Sequence, residues 1–255
     1  MTDGKAAGER PNPASTPLIS VIIVVRNGAA TLERALKSIF SKEFAQMECI
    51  LIDGNSSDNT LEIVKKYDEN IAFWISEPDG GIYDAMNKGV GHARGKYIYF
   101  LGCDDCLEVN PSELQHRLKE SNTIYYGNVL RPASSKPYDG AFNSWKLTRR
   151  NICHQAIFYP KAIFEKRNFA PQYKINADWE FNLRCYADRT FHYQYIALVI
   201  ATWADGGISS VVFDDQFDRD RSRLFKECLP RVIYWLYLLR RSVKTLFSSH
   251  HRATP

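Results

Sequence analysis

The sequence lacks both glycine-rich motifs that commonly hold phosphate groups at the start of a nucleotide fold. The apolar run Leu18–Val25 is followed by Arg26-Asn27-Gly28-Ala29-Ala30, which does not match G-x-G-x-x-G, and no P-loop is present. An NAD-dependent enzyme and a P-loop ATPase are both disfavoured by these absences.

Long apolar segments are also missing. No uninterrupted apolar run approaches the ~18 residues of a membrane-spanning helix. Residues 1–17 are rich in Gly, Pro, Ala and charge and contain no apolar signal-peptide core. We therefore expect a disordered leader at 1–17 and a cytoplasmic protein, with peripheral attachment to the cytoplasmic membrane left open.

The six cysteines are dispersed along the chain, as expected of reduced, buried thiols in a cytosolic protein. Cys103 and Cys106 have C-x-x-C spacing, and Cys153-His154 lies downstream. Without a second C-x-x-C, and with carboxylates inside the motif, zinc is a weak hypothesis.

The net charge of +4 is unevenly distributed. Between Arg219 and Arg252 there are nine Lys and Arg residues against two acids, Asp220 and Glu227, so the remaining chain is slightly acidic. This distribution favours an anionic surface that meets the C-terminus over nucleic acid bound by the body of the protein.

The first part of the chain alternates apolar, β-branched runs with helical patterns. Strands are predicted at 18–25, 49–52 and 71–76, and helices at 32–40 and 61–67. Polar residues follow each strand, which is typical of a nucleotide-binding α/β half with a parallel sheet.

Residues 76–105 are the strongest candidate for an active site. A Gly-rich turn leads into a helix, and then a strand predicted over 96–101 precedes Asp104 and Asp105. The carboxyl end of a central strand is where open α/β sheets bind ligands. Two adjacent carboxylates there repel each other unless a cation or hydrogen-bond donors neutralise them.

The helix predicted at 83–92 carries Asp84, Asn87 and Lys88 on one face. This face is either an exposed polar surface with an Asp–Lys pair or a wall of the site where Lys88 meets phosphate. The sequence leaves both interpretations open.

The second half of the chain offers two further candidates. His154 interrupts the strand-like run Ile152–Tyr159 and is either a satisfied core residue or a ligand contact. Asp178 lies near the start of a helix, where it is either a cap or a carboxylate available as a general base. The stretch 131–150 is predicted to be a loop over the site.

The C-terminal region has a long helical pattern over 221–247. Its apolar run Val232–Leu239 is bracketed by Arg231 and Arg240-Arg241. This pattern suits an interfacial helix on an anionic membrane, and equally a helix packed on the domain or on another subunit.

Six motifs in order resemble the family 2 glycosyltransferases of GT-A fold, especially bacterial enzymes of exopolysaccharide and lipopolysaccharide assembly, with the colanic-acid type nearest. They are VVRN, LIDGNSSDNT, SEPDGGIYDAMNKG, YIYFLGCDD, CHQAIFY and ADWEF, within about residues 18–210. The resemblance implies an α/β fold with a Rossmann-like nucleotide-binding part, a mixed central sheet and a C-terminal helical appendage. It divides residues 18–210 into a donor-nucleotide half (18–105) and an acceptor half (106–210), and the sequence pattern adds a basic amphipathic helical segment (211–255).

The resemblance also implies a reaction. A sugar would pass from a nucleotide-diphosphate-sugar, usually with Mg²⁺ or Mn²⁺, to a hydroxyl of a lipid-linked or oligosaccharide acceptor in bacterial surface polysaccharide synthesis. Attack from the side of Asp178, the family's catalytic base, would invert the anomeric carbon. The implied donor contacts are Arg26, Asn27, Asp53, Asp84, Asn87, Lys88, Asp104 and His154, with Asp105 toward the metal.

Two rival functions remain in view. A sugar nucleotidyltransferase would need a longer Gly-rich, basic loop than Arg26-Asn27-Gly28 provides. A catalytically inactive, membrane-docked binding module would not need Asp53, Asp104, Asp105 and Asp178 all present.

Overall fold

The computed structural model describes residues 16–42, 44–131, 134–138, 140–204 and 213–250. Most of the predicted leader 1–17 and the end of the predicted acceptor half, 205–210, lie outside the described residues.

The described residues form strands and helices in alternation. The strands are β1 (Ile19–Val25), β2 (Met47–Asp53), β3 (Phe73–Ser76), β4 (Tyr97–Gly102), β5 (Cys106–Leu107), β6 (Thr123–Arg131), β7 (Ser134–Tyr138), β8 (Ile157–Pro160) and β9 (His192–Thr202). The helices are α1 (Leu32–Phe40), α2 (Thr60–Lys66), α3 (Ile82–His92), α4 (Pro111–Gln115), α5 (Ser144–Leu147), α6 (Ala162–Lys166), α7 (Ala177–Ala187), α8 (Asp215–Cys228) and α9 (Arg231–His250).

All these strands join one mixed sheet in the order β3-β2-β1-β4-β8-β6-β9-β5, with β7 paired to β6. The first four strands in this order run parallel, whereas β8 is antiparallel to both β4 and β6. The prediction of an α/β fold with a mixed central sheet and a helical C-terminal segment is confirmed.

The central strand β1 is buried on both faces, as its continuous apolar sequence predicts. Ile22 belongs to the core cluster that includes α3, whereas Val21 and Ile23 belong to the cluster that includes α1. Helices therefore cover both faces of β1.

The predicted long helix over 221–247 is wrong in one respect, because the chain breaks it into α8 and α9. Leu229 is extended (φ −109°, ψ 156°) and Pro230 follows it. Proline disfavours a helical conformation in the residue before it and cannot donate a backbone hydrogen bond, so α8 ends there and α9 starts anew.

The second half differs from the sequence predictions in two places. Part of the predicted loop 131–150 forms β7 and α5. The predicted strand 152–159 instead contains a single 3₁₀ turn over His154–Ala156 before β8 begins. That turn brings His154 to the end of the sheet where β1 and β4 finish.

Candidate active site

An open cavity of about 590 Å³ lies at the carboxyl ends of β1 and β4. The loop after β1, the start of α3, the turn after β4 and the 3₁₀ turn all contribute to its wall. The polar side chains that line it include Arg26, Asn27, Tyr83, Asp104, His154 and Lys174. The position agrees with the rule that open α/β sheets bind ligands beyond the carboxyl ends of their strands.

The two carboxylates after β4 occupy different environments. Asp104 lines the cavity, whereas Asp105 is only 1% exposed. Gln155 Nε2 donates to Asp105 Oδ2 at 2.6 Å, and the backbone N–H of Ala204 donates to Asp105 Oδ1 at 2.9 Å. Burial raises the pKa of the Asp105 carboxyl, and these two hydrogen bonds oppose that rise.

Both carboxylates converge over Gly102, the last residue of β4. A Cβ built on Gly102 would collide with Asp105 Oδ2 and would lie 2.9 Å from Asp104 Oδ1. Glycine at this position therefore leaves room for two carboxylates close to the cavity wall.

This oxygen pair fits one kind of metal site. Among the residues that the structure describes, no three His, Cys, Asp or Glu side chains could hold a metal ion together. Mg²⁺ commonly uses one or two carboxylates, retains water and takes its remaining ligands from substrate phosphates. Mg²⁺ prefers oxygen ligands to thiols, so Cys103 is a poor ligand, and burial raises the pKa of its thiol to about 11.

Asp178 lies in the first turn of α7, 8% exposed and behind the cavity wall. The Tyr83 hydroxyl is 3.0 Å from Asp178 Oδ1 and 2.6 Å from the Ile175 carbonyl oxygen. His154 Nδ1 is 3.4 Å from Asp178 Oδ2. Tyr83 and His154 line the cavity, so Asp178 contacts two residues of the cavity wall.

Tyr83 is held as a hydrogen-bond donor. Burial, followed by the nearby Asp178 carboxylate, raises the pKa of its phenol well above the usual 10. A protonated hydroxyl donates one hydrogen at a time, so Asp178 Oδ1 and the Ile175 carbonyl oxygen share this donor.

Asp53 and Asn27 organise the loops that follow β1 and β2. Asp53 is fully buried, and its Oδ2 accepts hydrogen bonds from the Ser56 N–H at 3.0 Å and the Ser76 hydroxyl at 2.6 Å. Asn27 has φ 54°, and its Oδ1 accepts the Ser57 N–H at 2.8 Å. Asn27 lines the cavity, whereas Asp53 lies behind its described wall.

The three polar residues predicted on α3 lie outside the cavity lining that the described residues form. Lys88 pairs with Glu77 at 2.7 Å, and Asp84 Oδ2 accepts the Gly80 N–H at 2.9 Å. Asn87 exchanges two hydrogen bonds with the Phe169 backbone. In this geometry the three residues anchor α3, and the cavity is instead lined by its apolar side and Tyr83.

The wall also contains Tyr83, Lys174 and Trp203, which the sequence analysis does not single out. Lys174 Nζ is 3.3 Å from the Gly80 carbonyl oxygen, and Trp203 stacks on the Arg131 guanidinium at 4.4 Å. Tyr83 precedes Asp84 in the motif SEPDGGIYDAMNKG, so the sequence alone could have indicated it. Lys174 and Trp203 reach the wall only through tertiary packing.

The family model described as Glycosyl transferase family 2 matches residues 20–183, which include the strands and loops that build the cavity. The chain belongs to glycosyl transferase family 2. The predicted resemblance is confirmed at the level of the family, and the nearer likeness to the colanic-acid type stays a prediction.

Relatives of this family 2 glycosyltransferase include a protein named PGL/p-HBAD biosynthesis glycosyltransferase from Mycobacterium bovis and its counterpart in Mycobacterium tuberculosis. Each is 35% identical over 216 residues, which span 80% of this chain and 83% of the relative. These relatives favour the glycosyltransferase interpretation over a sugar nucleotidyltransferase.

Solved structures share the fold at low sequence identity. S. aureus TarS 1-349 in complex with UDP-GlcNAc has a TM-score of 0.65 and 16% identity, and the match covers 81% of this chain and 65% of TarS 1-349. The mannosyltransferase PcManGT from Pyrobaculum calidifontis, in complex with GDP-Man and Mn²⁺, has a TM-score of 0.59 and 14% identity, with coverage of 91% and 66%. This chain thus spans about two-thirds of these two neighbours.

Within the described residues, no helix has both the length and the apolar character needed to cross a bilayer.

Proposed function

We propose that this glycosyltransferase moves a sugar from a nucleotide-diphosphate-sugar to an acceptor hydroxyl with inversion at the anomeric carbon. The observation that supports this most strongly is the cavity at the carboxyl ends of β1 and β4. Asp104 lines this cavity, and Asp178 contacts His154, which also lines it. TarS and PcManGT, which share the fold, were solved with UDP-GlcNAc and GDP-Man, and this supports the donor class.

Asp178 is the proposed general base. The acceptor hydroxyl loses its proton to the Asp178 carboxylate as its oxygen bonds to the anomeric carbon. The bond from that carbon to the diphosphate breaks on the opposite face, and the nucleoside diphosphate leaves with the electron pair. Tyr83 and His154 support this role, because they contact the two Asp178 oxygens and hold the carboxylate in one orientation.

The departing diphosphate needs positive charge nearby. Arg26, Lys174 and His154 line the cavity and are the groups in its described wall able to supply it. Lys88, proposed from the sequence for this role, is paired with Glu77 and would have to leave that partner first.

Asp105, with Asp104 beside it, would hold the Mg²⁺ or Mn²⁺ implied by the family. A divalent ion bound there would supply Lewis-acid stabilisation of the leaving group. The convergence of both carboxylates over Gly102 supports this assignment. Both Asp105 oxygens also accept hydrogen bonds, one from the Gln155 side chain and one from the Ala204 backbone N–H.

The proposed acceptor is lipid-linked or an oligosaccharide, used in bacterial surface polysaccharide synthesis in the cytoplasm or at its membrane. The names of the mycobacterial relatives refer to biosynthesis, which supports a biosynthetic role. Contact with an anionic membrane through residues 221–247 belongs to the same proposal and depends on the C-terminal helices rather than on the cavity.

A thermal-shift screen of nucleotide-sugars with and without Mn²⁺ tests donor binding, because a ligand that binds the folded state raises its melting temperature. We expect one donor class to stabilise the wild type, and Mn²⁺ to increase the effect. Asp105→Ala should remove the Mn²⁺-dependent part, which calorimetry would measure directly. A wild type indifferent to every donor would refute the function, and an unchanged Mn²⁺ effect in the variant would refute the metal assignment.

A further inference from the structure

The last helix, α9, exposes a continuous apolar stripe. Trp235 is 67% exposed, and Val232 and Leu239 are each 63% exposed. Leu236 and Val243 extend the stripe at helical spacing. Large apolar side chains that are exposed together on one helix face mark an interaction surface more often than scattered single residues do.

The opposite side of α9 is anchored to the protein. Ile233, Tyr234 and Tyr237 pack against the core cluster that contains α7 and α8. The Tyr237 and Phe225 rings meet edge to face with centroids 4.9 Å apart. The stripe is thus fixed in orientation by a packed face behind it.

Charge distinguishes α9 from α8. The α8 sequence has four acidic and four basic residues, and its ion pairs include Asp218–Arg221 and Arg223–Glu227. The α9 sequence has Arg231, Arg240, Arg241 and Lys244 and no acidic residue. A net positive helix with an exposed Trp among aliphatic side chains suits an anionic lipid surface.

We propose that α9 docks the protein on an anionic membrane surface, with Val232, Trp235, Leu236, Leu239 and Val243 inserted at the boundary between headgroups and acyl chains. The docking element is therefore α9 rather than the whole of 221–247. Tryptophan prefers this boundary because its ring is apolar and its N–H remains near water. The basic residues add attraction to anionic headgroups.

Vesicle co-sedimentation of the full chain tests this directly. We expect binding to phosphatidylcholine vesicles that contain about 30% phosphatidylglycerol, weaker binding to pure phosphatidylcholine, and weakening as salt rises. The double variant Trp235→Ser with Leu239→Ser should bind at least about tenfold more weakly, because two inserted apolar side chains are lost. Arg240→Gln should weaken binding to the anionic vesicles alone.

Two matched controls separate the stripe from general surface effects. Phe213→Ser removes an aromatic side chain that is 87% exposed outside α9, and Arg219→Gln removes an exposed charge on α8. Both variants should bind vesicles like the wild type. The donor-induced thermal shift should be the same in all these proteins, so that failure of docking and failure of the transferase proposal are distinguishable.

Three results would overturn the proposal. The wild type does not bind the anionic vesicles, or the double variant binds them as tightly as the wild type does. In the third, light scattering shows that the wild type is a dimer and the double variant a monomer, and neither binds vesicles. That result would assign the stripe to contact with a second copy of the chain.

Discussion

At the scale of single residues, the site depends on how Asp178 is held. A carboxylate at a helix start is ambiguous in sequence, since it can be a cap. Here Tyr83 and His154 contact its two oxygens from the cavity side. Tyr83 is a positioning residue, because its hydroxyl orients the proposed base.

Tyr83→Phe should lower kcat by about tenfold, because a hydrogen bond to a charged group is worth about 1.5 kcal/mol or more. The KM for the donor should change little, since the aromatic ring remains in the wall. Steady-state kinetics at varied donor concentration measures both. Tyr97→Phe removes a hydroxyl bonded to the Glu120 carbonyl at 2.9 Å, away from the cavity, and should leave kcat unchanged. Equal effects in the two variants would deny Tyr83 its positioning role.

Gly102 is a second residue whose importance is geometric. Gly102→Ala should destabilise the fold by about 1–3 kcal/mol and weaken donor binding, because the added methyl would force the Asp104 and Asp105 carboxylates apart. Denaturant unfolding and calorimetry measure the two effects. Gly91→Ala, on α3 with open space at its Cβ, should be neutral or stabilise by about 0.5–1 kcal/mol. A Gly102→Ala protein with wild-type stability and binding would refute this packing account.

At the scale of elements, the sequence predicted best where burial is uniform. The predicted strand 18–25 starts one residue before β1 and ends with it, and the predicted strand 96–101 starts and ends one residue before β4. The 3₁₀ turn before β8 was missed, because an apolar run with two polar residues fits either a strand or a turn. The break at Pro230 was readable from proline chemistry alone.

Glu33 forms an ion pair that links helices α1 and α2. Glu33 on α1 accepts from Lys66 Nζ at 2.7 Å and from the Tyr67 hydroxyl at 3.1 Å, and it lies 3.3 Å from Lys37 Nζ. These groups, Lys66 foremost, lower the pKa of Glu33 from 4.5 to about 2. A carboxyl whose pKa is lower in the folded state stabilises the fold above its unfolded pKa, and that contribution is lost as pH falls toward 2.

Glu33→Gln should therefore melt below the wild type at neutral pH, and the difference should close as the pH falls from about 4.5 toward 2. High salt should shrink the difference, because these groups are exposed to solvent. Thermal unfolding between pH 2 and 8 measures it. A constant difference across this pH range would contradict the assignment.

At the scale of the whole molecule, the sequence predicted where the cavity lies better than it predicted which side chains line it. Asp104 and His154 were predicted, and both line the cavity. Asp84, Asn87 and Lys88 share a helix face as predicted, but that face packs and pairs with neighbouring segments. Periodicity finds which residues share a face, whereas the direction of that face depends on tertiary packing.

The measurement that tests the central claim most directly is nucleoside diphosphate release from a panel of nucleotide-sugars, with donor binding followed by calorimetry on the same proteins. The wild type should turn over one donor class. Asp178→Asn should lower turnover by at least about 100-fold while its donor affinity stays within about twofold, because the amide cannot accept the acceptor's proton. Wild-type turnover by Asp178→Asn would remove Asp178 from the role of base, and a wild type that releases no nucleoside diphosphate from any donor would contradict the account as a whole.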